Sequence, residues 1–214
     1  METEQINKEE TTYLSCAETA KLIRKALKEK FPKEKFSVRS SVYAGGASID
    51  VGWTDGVAYE GVNDLIKQFA GAGFDGMIDY KFYKDHWILP DGSVVLARSE
   101  GSSCTGGYNP SVKNEKPHQD AKKVSFGADY VFANRTISEE VMEKVAKTIA
   151  KKYEIEFVSM DSYPNDNFLS QQNNNWYGIA RNVVWKKDLT NFKGIKSNDT
   201  ESGQLPDFWD VKEK

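Results

Sequence analysis

The stretch Phe36-Ser37-Val38-Arg39-Ser40-Ser41-Val42-Tyr43-Ala44-Gly45-Gly46-Ala47-Ser48-Ile49-Asp50-Val51-Gly52-Trp53 decides how the chain folds. Side chains alternate faces along a strand, so Phe36, Val38, Ser40 and Val42 share one side, as do Ala47, Ile49, Val51 and Trp53. Ser37, Arg39, Ser41, Tyr43, Ser48 and Asp50 fall on the other. One apolar and one polar face is the mark of an antiparallel sheet that packs on helices on one side. Ala44-Gly45-Gly46 supplies the turn, because glycine accepts the positive φ that tight hairpins demand. The implied register sets Phe36 against Trp53, Val38 against Val51 and Ser40 against Ile49. Arg39 then faces Asp50, a charge-matched pair contributing roughly 0.2–1 kcal/mol. A slip of one residue would turn Ile49 and Trp53 into water, so the register is well specified.

Helical patterns flank this ribbon. Ser15-Cys16-Ala17-Glu18 has the S-x-x-E spacing of a capping box. Cys16, Ala20, Ile23, Leu27 and Phe31 follow at intervals of three and four, an apolar stripe that Pro32 stops. Beyond the ribbon, Thr54-Asp55-Gly56 opens a second helix with Ala58, Val62, Leu65, Ile66 and Phe69 on one side. Gly71, Gly73 and Gly76 close it in a glycine-rich corner. Met77 to Tyr83 alternates as a strand with an aromatic face. Trp87 to Leu96 reads as a second hairpin around Pro90-Asp91-Gly92. Val124 to Ala133 recovers a strand pattern. Ser138 with Glu139 and Glu140 starts a third helix carrying Val141, Val145 and Ile149, with Met142, Ala146 and Tyr153 offset. Ile155 to Met160 suggests a short strand, and a short helix fits near Phe168 to Gln172. Runs of strands with helices on one face give an α+β fold of antiparallel hairpins, not a doubly wound sheet.

Residues 1–12 read as a disordered lead-in, 13–190 as the α+β domain and 191–214 as a tail. The domain admits two halves, 13–98 and 122–190, joined by a Ser/Gly-rich loop over 99–121. Its 214 residues suffice for a proper core. Hydrophobic content of 39% with 29% charged residues describes an ordinary soluble protein, and a net charge of −3 gives no global drive toward nucleic acid or anionic membrane. Two cysteines, Cys16 and Cys104, make neither a disulfide framework nor a metal site. METEQINKEETT is too polar for a leader and no apolar run reaches the ~20 residues of a membrane span, so a cytoplasmic location without membrane contact is expected.

At residues 37–56, 74–92 and 122–138 the chain resembles the large polyvalent-protein-associated domains of conjugative elements and phages. The resemblance spans about residues 14–160, and Tyr83-Lys84-Asp85-His86-Trp87 is its most distinctive string. It implies an accessory role for mobile DNA in a bacterial host, protecting the element or countering host defence. No established reaction, catalytic residue or cofactor comes with it.

The residues themselves offer two chemistries. Asp79, Asp85 and His86, joined by His118 and Asp120, carry the ligand types of a metal-dependent enzyme acting on nucleic acid, yet no H-x-x-x-H or H-E-x-x-H spacing supports a metal. Lys21, Arg24, Lys25 and Lys28 make a basic helix face, with Arg39 and Tyr83 as further contacts, although Glu18 and Glu29 interleave it. Gly71-x-Gly73-x-x-Gly76 follows a helix where a dinucleotide site requires a strand. Ser102 to Gly107 lacks a nucleophile elbow and reads as linker. The expectation is therefore a non-enzymatic protein that binds a macromolecule, protein ahead of nucleic acid, without cofactor. Its candidate binding residues are Lys21, Arg24, Lys25, Lys28, Arg39, Tyr83, Asp85, His86 and Trp87, with a metal-dependent enzyme as the alternative.

Overall fold

The computed structural model describes residues 10–99, 116–152, 184–185 and 187–190. In chain order the elements are β1 (Thr12–Leu14), α1 (Cys16–Lys30), β2 (Ser37–Tyr43), β3 (Gly46–Thr54), α2 (Tyr59–Ile66), a 3-10 turn (Lys67–Phe69), β4 (Ala72–Asp75), β5 (Tyr80–Ile88), β6 (Val94–Ser99), β7 (Lys122–Phe126), β8 (Tyr130–Thr136) and α3 (Glu139–Lys152). The fold is α+β. Chain contacts group it into two compact units, Met1–Gly52 with Asn63–Asn134, and Trp53–Val62 with Arg135–Lys214.

In the first unit the β2–β3 ribbon takes the register its alternation dictates, with Val38 opposite Val51, Arg39 opposite Asp50 and Ser40 opposite Ile49. Tyr43 pairs with Gly46, which leaves a two-residue loop of Ala44 and Gly45, the latter at φ +91°. Asp50 is engaged across the ribbon by β8, accepting a hydrogen bond from Asn134 Nδ2 at 3.1 Å. Ala47, Ile49, Val51 and Trp53 are buried. The capping box forms as read: the Ser15 N–H donates to Glu18 at 2.8 Å, and Ser15 Oγ accepts from the Glu18 N–H. Helix α1 lies on the ribbon with Cys16, Ala20, Ile23 and Leu27 inside. The Cys16 thiol donates to the Ser48 carbonyl, Arg24 donates to the Val38 carbonyl at 2.7 Å, and the Phe31 ring meets Phe36. Val42, expected under the helix, is instead 80% exposed, because β2 is the outer strand of its sheet and the strongest burial falls on β3.

Five other readings change. The strands divide between two sheets, β1-β7-β5-β4 with β6 on β5, and β2-β3-β8. The single strand expected at 124–133 is two, because at Gly127, Ala128 and Asp129 the backbone bonds leave the ladder. The Gly127 N–H donates to Leu14, the Asp129 N–H to Ala47, and the carbonyls of Ala128 and Asp129 accept from Gly71 and Ala72. The glycine corner at 71–76 contains β4, which pairs with β5. The strand expected from Met77 starts only at Tyr80, after a turn in which Asp79 adopts φ +50°. At the N-terminus, the lead-in expected through residue 12 gives way to β1, which pairs in parallel with β7. The β5–β6 hairpin turns at Pro90-Asp91-Gly92 as expected, where the Leu89 N–H donates to Ser93 and the Gly92 N–H to Leu89.

In the second unit Arg135, only 6% exposed, spreads all five guanidinium donors over backbone carbonyls. Nε donates to Asp55 at 2.8 Å, Nη1 to Val184 and Trp185, and Nη2 to Gly56 and Lys187. Asp55 and Gly56 sit at φ +55° and +45°, which turns their carbonyls to the cation and delays α2 to Tyr59 instead of the expected Thr54. The Asp55 carboxylate in turn accepts from the Ser138 N–H ahead of α3. Tyr59 stacks between Trp53 and Trp185, and Val141, Met142, Val145 and Ala146 bury the inner face of α3. The loop around Cys104, the expected strand at 155–160, the helix at 168–172 and the tail from 191 lie outside the described residues.

Lysine at position 135 keeps the charge but not the planar fork, so Arg135→Lys should lower unfolding stability by about 2–3 kcal/mol. Urea denaturation of the purified variant checks this, and an unchanged midpoint would contradict it.

Candidate binding surface

Asp129 builds the site. Its backbone N–H donates to the Ala47 carbonyl at 2.8 Å while its carboxylate accepts from the Ala47 N–H at 3.0 Å, so the side chain closes a pair that a strand residue would close with its backbone. Lys81 on β5 adds a third bond, its ammonium 2.9 Å from the same carboxylate oxygen and 3.3 Å from the Gly45 carbonyl. A side chain at position 46 would collide with that oxygen, which explains glycine there. The hydrogen bond to Asp129 raises the Lys81 pKa above its ordinary value. The ammonium therefore contributes its full stabilisation below the ordinary lysine pKa and loses it only in strong alkali, as pH climbs through the raised value.

Around this bond lies an aromatic surface. The Lys81 ammonium sits 5.4 Å from the Tyr83 ring centre, and Phe74 on β4 is the cross-strand partner of Lys81. Next to Asp129, Tyr130 stacks on Phe132 with ring centres 6.2 Å apart. Alternation along β8 places both on the side of Asn134, which bonds Asp50 and so shares the ribbon face of Tyr43. Met77 and Ile78, in the turn that joins β4 to β5, are 75% and 61% exposed. Phe74, Tyr83, Tyr43 and Phe132 are each about half exposed as well. Patches of this kind on a folded unit mark interaction sites.

The sequence-derived candidates scatter. Lys21, Arg24, Lys25 and Lys28 are exposed on α1, Lys25 facing Glu29 at 3.9 Å. Arg39 is exposed on β2, and Tyr83 belongs to the aromatic surface. His86 and Trp87 are instead buried, 3% and 2% exposed, and present no surface to a partner. Asp85 reaches Lys123 at 3.9 Å, on the side where Lys123 also covers the Trp87 ring. His86 packs on Phe126 with ring centres 4.9 Å apart, and Phe126 belongs to the opposite face of β7. Adjacent strand residues diverge in this way, so Asp85 and His86 do not converge on one ion. His118 and Asp120 form a local pair, the Asp120 N–H donating to Nδ1 at 3.1 Å. Among the described residues no group of three or more His, Cys, Asp or Glu side chains comes together. Burial raises the pKa of the Cys16 thiol, which keeps it protonated and inert. A cavity of about 310 Å³ opens between α1 and the β5–β6 turn, floored by Leu22, Ala26, Phe69 and Ile88 and rimmed by charges of both signs.

Sequence reasoning missed Lys81 and Asp129. The signal was the small-polar interruption Gly127-Ala128-Asp129 inside an alternating run.

These features describe an α+β module with exposed basic and aromatic faces. The chain belongs to the family described as Large polyvalent protein associated domain 29, whose model matches residues 14–138. No curated protein and no solved structure matches it. Among the described residues no helix is long and apolar enough to cross a membrane.

Two outcomes follow from the site. Asp129→Ala leaves the Ala47 N–H and the Lys81 ammonium without their shared acceptor and should cost about 2–4 kcal/mol, read from urea melts against the parent. His86, its Nδ1 without a partner, has a pKa lowered from 6.5 to about 4, first by burial and then by the charge of Lys84. The unfolded chain therefore binds the proton first, and stability falls as pH drops from the ordinary histidine value through the lowered one, by about 3 kcal/mol in all. His86→Leu should abolish that slope and leave stability at neutral pH equal or higher, measured by melts across the acidic range.

Proposed function

We propose that this chain is a non-enzymatic accessory protein of a bacterial mobile element, acting by binding a protein of the host or of the element. The observation that carries this reading is the aromatic surface of Tyr43, Phe74, Met77, Ile78 and Tyr83, held on the Lys81–Asp129 bond. Tyrosine and phenylalanine on a rigid base give large contact area for little entropy loss, and such anchors dominate protein interfaces. Nucleic acid ranks behind protein because the net charge is −3 and the pinned cation at the centre, Lys81, is already neutralised by Asp129. Family membership supports the mobile-element setting, and a role against host defence fits a module that works by occupying a partner. The surface suits a partner that buries the rings around the ion pair.

The test is capture from a nuclease-treated host lysate with the full chain and with a Phe74→Ser, Ile78→Ser, Tyr83→Ser variant. A protein retained by the parent and lost by the variant, at unchanged melting temperature, is the expected result. Loss of each ring should weaken binding by about tenfold or more. Retention of nucleic acid in untreated lysate, with no protein dependent on the three positions, would overturn the reading.

A further inference from the structure

The outer margin of strand β2 exposes residues of a different chemistry. The two-residue loop makes Tyr43–Gly46 the hydrogen-bonded pair that closes the hairpin, and pairs alternate from there. Ser41 and Arg39 therefore direct their backbone groups to β3, whereas Val42, Ser40 and Val38 direct theirs outward. Arg24 occupies the Val38 carbonyl, which confirms the phase. Among the described residues strand β2 ends its sheet, so the N–H and C=O groups of Ser40 and Val42 form an open ladder edge there. Natural edges are blunted by charge, proline or a bulge; β2 has no proline, and its one charge, Arg39, stands opposite Asp50.

The helix beside this edge sets what it accepts. Cys16 bonds the carbonyl of Ser48, the partner of Ser41, then Arg24 meets Val38 and Phe31 meets Phe36. Helix α1 thus runs antiparallel to β2, and Lys21, Arg24 and Lys28, spaced by three and four, line the edge on one exposed helix face. Of the interleaved acids, Glu18 accepts from Ser15 and also acts on Lys21, whereas Glu29 faces Lys25. Strand edge and basic flank together form a channel for an extended chain that carries negative charge.

We infer that β2 takes up an acidic, extended segment of a partner protein as an added strand, main chain on Ser40 and Val42, carboxylates toward Lys21, Arg24 and Lys28. A second copy of this chain is the wrong occupant, because pairing β2 with its like would set two basic stripes side by side. Strand addition draws affinity from main-chain bonds and selectivity from alternate side chains. The inference rests on other residues than the aromatic surface and stands or falls apart from it.

The test titrates the full-length protein with a short synthetic peptide alternating glutamate and valine, followed by amide-resolved NMR. The expected result is binding that weakens about tenfold or more between about 0.05 M and about 0.5 M salt. The Ser40 and Val42 amides should gain protection from exchange. Val42→Pro removes an outward N–H without breaking the pairing to β3, so it should weaken the peptide at least about tenfold while the fold survives. Lys21→Glu with Lys28→Glu should reverse the preference toward a lysine–valine peptide. Phe74→Ser with Tyr83→Ser should leave the affinity unchanged, which separates this site from the aromatic one. Four results would overturn the inference: no binding by the parent, undiminished binding by Val42→Pro, a parent dimer that Val42→Pro dissolves, or equal binding of a single-stranded DNA of the same charge without protection at Ser40 and Val42.

Discussion

The Asp129 carboxylate holds three strands' worth of backbone in place. It stands where two sheets of one unit meet, accepts from the Ala47 N–H in β3 and from the Lys81 ammonium in β5, and sits on the bend between β7 and β8. A bend costs ladder bonds, and a buried peptide group left unpaired costs on the order of a few kcal/mol. Here a side chain supplies the missing acceptor, and Gly46 leaves it the room. The charge is matched within hydrogen-bond distance, so desolvation is offset where it arises. Remove this contact and the hairpin tip, the start of β8 and the start of β5 lose their common point.

What could be read beforehand followed from local periodicity. The ribbon register was legible because a period of two admits one phase when Ile49 and Trp53 must be buried, and a glycine fixes the turn. The stripe of α1 was legible because Ser15 and Glu18 announce its first turn. The division into two sheets was not, since the alternation Val124, Phe126, Ala128, Tyr130, Phe132 runs unbroken through a change of partner. Only the hydrogen-bond acceptors change there, and those are set by residues far along the chain.

The candidate site was harder still. Alternation tells which side chains share a face but not where that face is covered, so Tyr83 and Trp87, four positions apart along β5, gave no hint that one is exposed and the other inside. The cluster of Asp85 and His86 was a product of nearness in sequence, which on a strand means opposite directions. What the fold leaves outward is backbone edge, basic helix flank and aromatic rings. The charged flank lies along β2, and the rings cluster on β4, β5 and the ribbon tip.

Arg135 bears on where this domain can be cut from its surroundings. The family match stops at residue 138, yet the guanidinium takes hydrogen-bond acceptors from carbonyls 49 to 52 positions downstream. A fragment excised at that border would keep the Asp55 and Gly56 acceptors but lose those of Val184, Trp185 and Lys187, leaving a buried cation only partly satisfied. The border of the sequence family and the border of the Arg135 cage thus differ in this protein, and Val184, Trp185 and Lys187 belong to the latter.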